Sequence, residues 1–313
     1  LMYEEYKVMT PNDFSGILTL VGTILGSSRQ PFKNMRKPAE DGMDKVAAMI
    51  ATYKKLQLDC LVILGGNGTQ KTANLLREEG LNVVGLPKTI DNDIWGTDMT
   101  FGFQSAVDIA AAAIDNIHTT ASSHGRVFIV EVMGHKVGWL TLHAGIAGGA
   151  DVMLPEIPYD VDAVVEAIQK RSQMGKRFSI LAVAEGAISR EDAMLSKKEY
   201  KAVLKKSPYP SISYQLGAQI QERTGQEVRI TVPGHTQRGG APCPYDRVIA
   251  SRLGAAAAKL ILKEKYGYMV GFKNDDIVPV PLEEVAGRLK MVDPEASIIK
   301  EAKDMGISFG TKE

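Results

Sequence analysis

The stretch VVGLPKTIDNDIWGTD, residues 83–98, halts an apolar run at Pro87 and then sets Lys88, Thr89, Asp91, Asn92 and Asp93 in close succession. Two carboxylates separated by one residue, with an ammonium and a hydroxyl just before them, are the parts of a phosphoryl-transfer centre. One acid takes a proton from an attacking hydroxyl, the other holds Mg²⁺ directly or through water, and the cation and hydroxyl meet phosphate oxygens. The competing reading is an Asx-rich turn carrying solvated acids. An apolar run of strand composition that ends in Pro places these acids at the carboxyl end of a buried strand, where open α/β sheets keep their sites.

The elements around this stretch must position it. Upstream, LDCLVILGGNGTQKTANLLREEG reads as a buried strand at 60–64, a tight Gly-rich turn at 65–69 and a helix at 70–79 closed by Gly80. Strand, glycine turn and helix amino end together cradle phosphate, because free N–H groups converge with the positive end of the helix dipole. The strand ending at Pro87 follows at once, which predicts two loops on one rim of a parallel sheet. Further βα units follow. A strand over 127–132 leads into the loop 133–138, a strand ends at Glu185, and another precedes Gly234, His235, Arg238, Gly239 and Gly240, a set that suits an anion or a structural loop cap. An amphipathic helix is expected at 41–55, an Ala-rich helix with a polar linker at 101–124, and a helix at 249–263 whose small residues 255–258 read as close core packing. Residues 189–207 alternate in charge and read as a solvated helix, GSSR at 26–29 as a polar turn or a phosphate contact, and the tail from Tyr266 as irregular. Two α/β domains facing one another would gather the loops at Gly65, Lys88, Met133, Glu185 and Gly234 around one cleft.

Bulk properties narrow the classes. Lys plus Arg equals Asp plus Glu, 37 against 37, so no global field recommends nucleic acid or an anionic membrane. Cys60 and Cys243 lack metal spacing and make no disulfide framework, Cys60 reading as inert core. No apolar run long enough for a membrane span and no signal sequence is present, so a cytoplasmic location is expected. The chain starts at Leu1 in mid-element, which suggests a fragment.

The motifs LGGNGT, PKTIDND, EVMGHKVGWLTLHAGIAGGAD and GHTQRGGAPCPYDR, in this order, strongly resemble the 6-phosphofructokinase family from about Ile17 to the Arg288 region. The resemblance implies an α/β fold of two Rossmann-like three-layer domains, with the family's N-terminal strand and first Gly-rich loop missing. The donor (ATP) domain would comprise 1–102 plus 237–290, and the fructose 6-phosphate domain 103–236 plus 291–313. The implied reaction is phosphoryl transfer from ATP to the 1-hydroxyl of fructose 6-phosphate in glycolysis. Asp91 would be the general base, Thr89 and Lys88 would lie at the transferring group, and Asp93 would hold Mg²⁺ with Asn67. Arg29, Gly65, Gly66, Asn67, Gly68 and Thr69 match the donor side. Arg126, Arg229, His235 and Arg238 match positions that hold the sugar phosphate, and Met133, Gly134, His135 and Glu185 the sugar side. Family arginines at the positions of Arg126 and Arg229 come from a neighbouring subunit, which implies a homo-oligomer, dimer or tetramer, with shared sites.

Asn67 stands where the family usually carries Asp, and His135 where many members carry Arg. Gly68 resembles ATP users, because a side chain there would obstruct nucleotide, whereas Lys88 resembles pyrophosphate users. Two alternatives follow: a pyrophosphate-dependent enzyme, and a non-catalytic phosphosugar-binding or regulatory subunit.

Overall fold

The computed structural model describes residues 1–27 and 30–312. Arg29, expected on the donor side, lies outside the described residues. The strands are β1 Leu61–Gly65, β2 Val83–Pro87, β3 Val127–Val132, β4 Asp151–Met153, β5 Ser179–Ala184, β6 Val228–Thr231, β7 Tyr268–Lys273 and β8 Asp276–Pro281. They form two four-stranded sheets, ordered β1-β2-β7-β8 and β4-β5-β3-β6. The chain divides accordingly into one unit of Leu1–Phe103 with Ala241–Lys290, and another of Gln104–Gly240 with Met291–Glu313. Re-entry falls at Ala241, not at Gln237, so Arg238 and its two glycines belong to the second unit.

In the first unit β1, β2 and β7 run parallel, and β8 returns antiparallel to β7. Alternate residues of β2 serve opposite faces, as strand geometry requires. Val83 packs with Ala73 and Leu76 of helix Asn67–Glu78 on one side, and Val84 and Leu86 with Ile249 and Leu253 of helix Pro244–Leu262 on the other. Full burial of each such residue contributes roughly 1.5–3 kcal/mol. The result is a helix–sheet–helix sandwich with β2 at its centre.

Gln70 lies inside this sandwich, 0% exposed, and its Nε2 donates to the carbonyls of Gly65 (3.1 Å) and Leu86 (2.9 Å), tying the end of β1 to the end of β2. A Cβ at Gly85 would collide with the Gln70 amide oxygen, so the glycine makes room for this link. Gln70→Leu is expected to lower stability by about 1–3 kcal/mol, because buried carbonyls lose a donor. The check is a lower urea midpoint with an unchanged slope.

The second sheet is entirely parallel. Val127, Ile129, Leu181 and Val183 pack against helices Val161–Gln173 and Ile212–Thr224. Helix Trp139–Ala147 also lies on this sheet; a Cβ at its Gly145 would press on Val152 and Ala182.

Four sequence expectations change. The strand expected to be buried at 60–64 is only partly so, with Val62 and Leu64 exposed on the face away from the core. The glycine turn at 65–69 is mostly helix: Gly66, extended at φ −80° and ψ −169°, caps a helix that already begins at Asn67. A first turn tolerates small polar residues because its N–H groups lack intrahelical acceptors in any case. The tail from Tyr266 is ordered, since β7 and β8 form a hairpin whose turn residues Asn274 and Asp275 both have positive φ, as tight primed turns demand. Finally, Ala257 is buried and Ala256 half-buried, but Ala255 and Ala258 are exposed, because only one helix face meets the sheet.

Candidate active site

β1 and β2 pair in register from Leu61↔Val83 to Gly65↔Pro87, so the Gly-rich helix start and the acidic loop leave the sheet side by side. Lys88 N donates to Gly65 O at 3.1 Å, and Thr89 packs beside Gly66. The Gly66 cap receives no side-chain hydrogen bond, and Gln70 N to Gly66 O (3.0 Å) is the first intrahelical bond. The amides of Asn67, Gly68 and Thr69 therefore sit at the positive end of the helix. A Cβ built on Gly68 would meet nothing within 4 Å, so the glycine borders open space and does not fill a packing need.

The acidic loop is shaped by Asn92, the residue between the two carboxylates. It adopts φ 52°, is 3% exposed, donates from Nδ2 to Asp98 O (3.2 Å) and accepts from Thr100 N (3.0 Å). Asn tolerates this left-handed conformation better than most residues. With Asn92 turned inward, Asp91 and Asp93 are half-buried on either side of it. Thr89 Oγ1 accepts from Asp91 N at 3.2 Å, and Thr89 O accepts from Thr100 Oγ1 at 2.8 Å. The loop is further held by Lys290, whose Nζ donates to the carbonyls of Thr97 (2.9 Å) and Asp98 (2.8 Å). Burial pushes the Lys290 ammonium down to about 8, against the opposing pull of Asp98 and Asp93.

In the second unit the loops after β3, β5 and β6 share the carboxyl rim. Glu185 follows β5, and its Oε1 accepts from the amides of Gly134 (3.2 Å) and His135 (2.6 Å). Gln237 is 1% exposed; its Oε1 accepts from Met133 N (3.2 Å) and its Nε2 donates to Gly234 O (3.2 Å). The 133–138 loop is thus clamped from both neighbouring strands. His235 and Arg238 are exposed on the 3-10 turn Gly234–Arg238. Glu156 closes the loop, accepting from Gly138 N and Val292 N, both at 3.0 Å, while burial raises its carboxyl pKa.

Arg126 and Arg229 lie elsewhere. They stand at the amino end of β3 and early in β6, with Glu227 ion-paired to both. Within this chain they do not join His235 and Arg238 on the carboxyl rim. Gln70, Asn92, Gln237, Glu156 and Lys290 had no functional reading in the sequence. Gln237 alone could have been flagged there, as an amide inside the HTQRGG motif.

A helix amino end and an acidic loop on one sheet rim, with an anion-suited turn on a second parallel sheet, define a phosphotransferase of the α/β class. The chain belongs to the phosphofructokinase family, whose description "PFK: Phosphofructokinase" matches residues 1–261. It is 56% identical to the ATP-dependent 6-phosphofructokinase of Spirochaeta thermophila, over 99% of this chain and 86% of that protein. Identity to ATP-dependent 6-phosphofructokinase 3 of Bacteroides thetaiotaomicron is 45%, over 99% and 87%. Among solved structures, the T-state phosphofructokinase of Pichia pastoris superposes with a TM-score of 0.74 at 30% identity, covering 95% of this chain and 32% of that longer one.

Proposed function

We propose that this protein transfers the γ-phosphoryl group of ATP to the 1-hydroxyl of fructose 6-phosphate, giving fructose 1,6-bisphosphate in glycolysis. The observation that carries this reading is the placing of the Asp91 loop beside the helix start at Asn67 on one sheet rim. The relatives named ATP-dependent 6-phosphofructokinase support ATP as the donor.

The first unit is the donor unit. Amides of Asn67, Gly68 and Thr69 meet the donor phosphates, and the open space at Gly68 admits the nucleotide. Asp91 accepts the proton of the attacking hydroxyl, while Thr89 and Lys88 meet the transferring group. Asp93 with the Asn67 carbonyl oxygen offers an oxygen donor set of the kind that holds Mg²⁺ together with substrate phosphates. When bound there, Mg²⁺ neutralises charge on the phosphate oxygens. The Asn67 amide nitrogen is already committed to Arg288 O at 2.8 Å, which leaves its oxygen for that purpose.

The second unit is the sugar unit. His235 and Arg238 hold the 6-phosphate, and Met133, Gly134, His135 and Glu185 contact the sugar. The placing of Arg126 and Arg229 away from this rim supports a homo-oligomer in which they serve a neighbour's site. Acting on phosphorylated sugars, the enzyme works in the cytoplasm; no helix among the described residues is long and apolar enough to cross a membrane.

The test is fructose 1,6-bisphosphate formation with Mg²⁺, ATP and pyrophosphate being compared directly. Turnover with ATP is expected; faster turnover with pyrophosphate would assign the donor to the Lys88 signal, and fructose 6-phosphate binding without turnover would favour a regulatory subunit. Arg238→Ala is expected to raise the KM for fructose 6-phosphate by about 10- to 100-fold, the worth of one charge-assisted phosphate bond. An unaltered KM removes Arg238 from the site.

A further inference from the structure

We propose that residues 288–290 form a strap, with Lys290 as its principal positioning residue, that fixes the donor loop and the catalytic loop relative to each other. The proposal deepens the phosphotransferase reading above and rests on it. At one end the strap meets the helix start, where Asn67 Nδ2 donates to Arg288 O at 2.8 Å. In the middle, Leu289 forms an antiparallel bridge with Ile94. At the other end Lys290 N donates to Asp93 O at 2.9 Å, and Lys290 Nζ reaches the carbonyls of Thr97 and Asp98. On the outer side the Arg288 guanidinium lies over the Trp95 ring, 5.6 Å from its centroid.

These contacts converge on the catalytic residues. The Asp98 carbonyl receives both Lys290 Nζ (2.8 Å) and Asn92 Nδ2 (3.2 Å), so the ammonium and the residue between Asp91 and Asp93 share one acceptor. Residues 88–102 contain no helix or named strand, so their position rests on isolated bridges and single backbone bonds, such as Asp98 N to Phe272 O and Phe101 N to Pro87 O, together with these side-chain ties. Hydrogen bonds from an ionised donor in a half-buried setting are the stronger kind. A base must be held to within a fraction of an ångström to act in line, and misplacement by about 1 Å costs up to about 100-fold in rate. The strap also accounts for Asn67: Asp in its place has no donor for the Arg288 carbonyl.

The experiment compares the wild-type protein with Lys290→Met and Lys290→Arg in steady-state assays with ATP, Mg²⁺ and fructose 6-phosphate, well below each variant's melting temperature. Lys290→Met, which keeps the apolar stem and loses the donors, is expected to lower kcat by about 10- to 100-fold, with the KM for fructose 6-phosphate changed less than about twofold. Lys290→Arg, which keeps a charged donor, is expected to recover most of kcat. If Lys290→Met does not fold, Lys290→Gln takes its place and is read on the same constants. A lowered melting temperature with kcat unchanged overturns the proposal, because the tie is then structural only. Failure of Lys290→Arg to recover any activity also overturns it. Silence of the wild-type protein with both ATP and pyrophosphate would overturn the functional reading itself, and the strap's role with it.

Discussion

Replacing Asp91 by Asn is expected to lower kcat by about 10²–10⁴-fold, the usual worth of a positioned general base, while fructose 6-phosphate binds as before. The substitution is nearly isosteric and leaves the backbone bond from Asp91 N to Thr89 Oγ1 intact, so the loop keeps its shape. What disappears is the acceptor for the hydroxyl proton, because a neutral amide is far too weak a base to take it. Fructose 6-phosphate should still bind, since no residue assigned to its phosphate belongs to the loop. Calorimetric titration with the sugar phosphate, alongside initial rates, separates the two effects. Undiminished turnover would take Asp91 out of the base role.

Gly134→Ala is expected to be the most damaging substitution in the second unit. Gly134 adopts φ 148°, a conformation L side chains avoid, and a Cβ there would stand 2.5 Å from the Val137 carbonyl oxygen. The chain cannot relax easily on either side. Gly134 N is held by Glu185, and a Cβ at neighbouring Gly186 would fall on the His135 carbonyl, which shows how closely the two loops approach. Strain and overlap together are expected to cost about 2–4 kcal/mol of stability. Displacement of the loop is expected to raise the KM for fructose 6-phosphate roughly tenfold or more. Chemical denaturation and a substrate titration test the two parts independently. A variant with wild-type stability and KM would show that the loop adapts and that Gly134 is not needed there.

Much of the frame could be read from the chain itself, and for a physical reason. The run ending at Pro87 is apolar throughout because both faces of β2 meet helices, whereas β1 packs only Leu61 and Ile63 into the core and leaves Val62 and Leu64 exposed; Gly or Pro marks where each run stops. The acidic loop could be read because its residues are adjacent. Gln70 and Lys290 could not, and Gln237 shows only as an amide inside HTQRGG, since each acts on a partner that only the fold brings near. Lys290 reaches Thr97 across 193 positions, and Gln237 reaches Met133 across 104. No local pattern encodes such a tie. The hairpin of β7 and β8 is illegible for another reason: Gly271 and Pro279 interrupt its alternation, and the turn Asn274–Asp275 lacks the glycine that usually marks a two-residue primed turn.

The first unit is discontinuous, and this bears on how the protein is made. β2 is completed by β7 and β8, which the ribosome supplies only after all four strands of the other sheet. Until residue 268 emerges, the edge of β2 that later pairs with β7 is open, a template for unwanted pairing. The strap arrives later still. During translation the helix start at Asn67 and the acidic loop are therefore the last part of the first unit to be fixed, and chains released before Lys290 are expected to be inert and aggregation-prone, not weakly active.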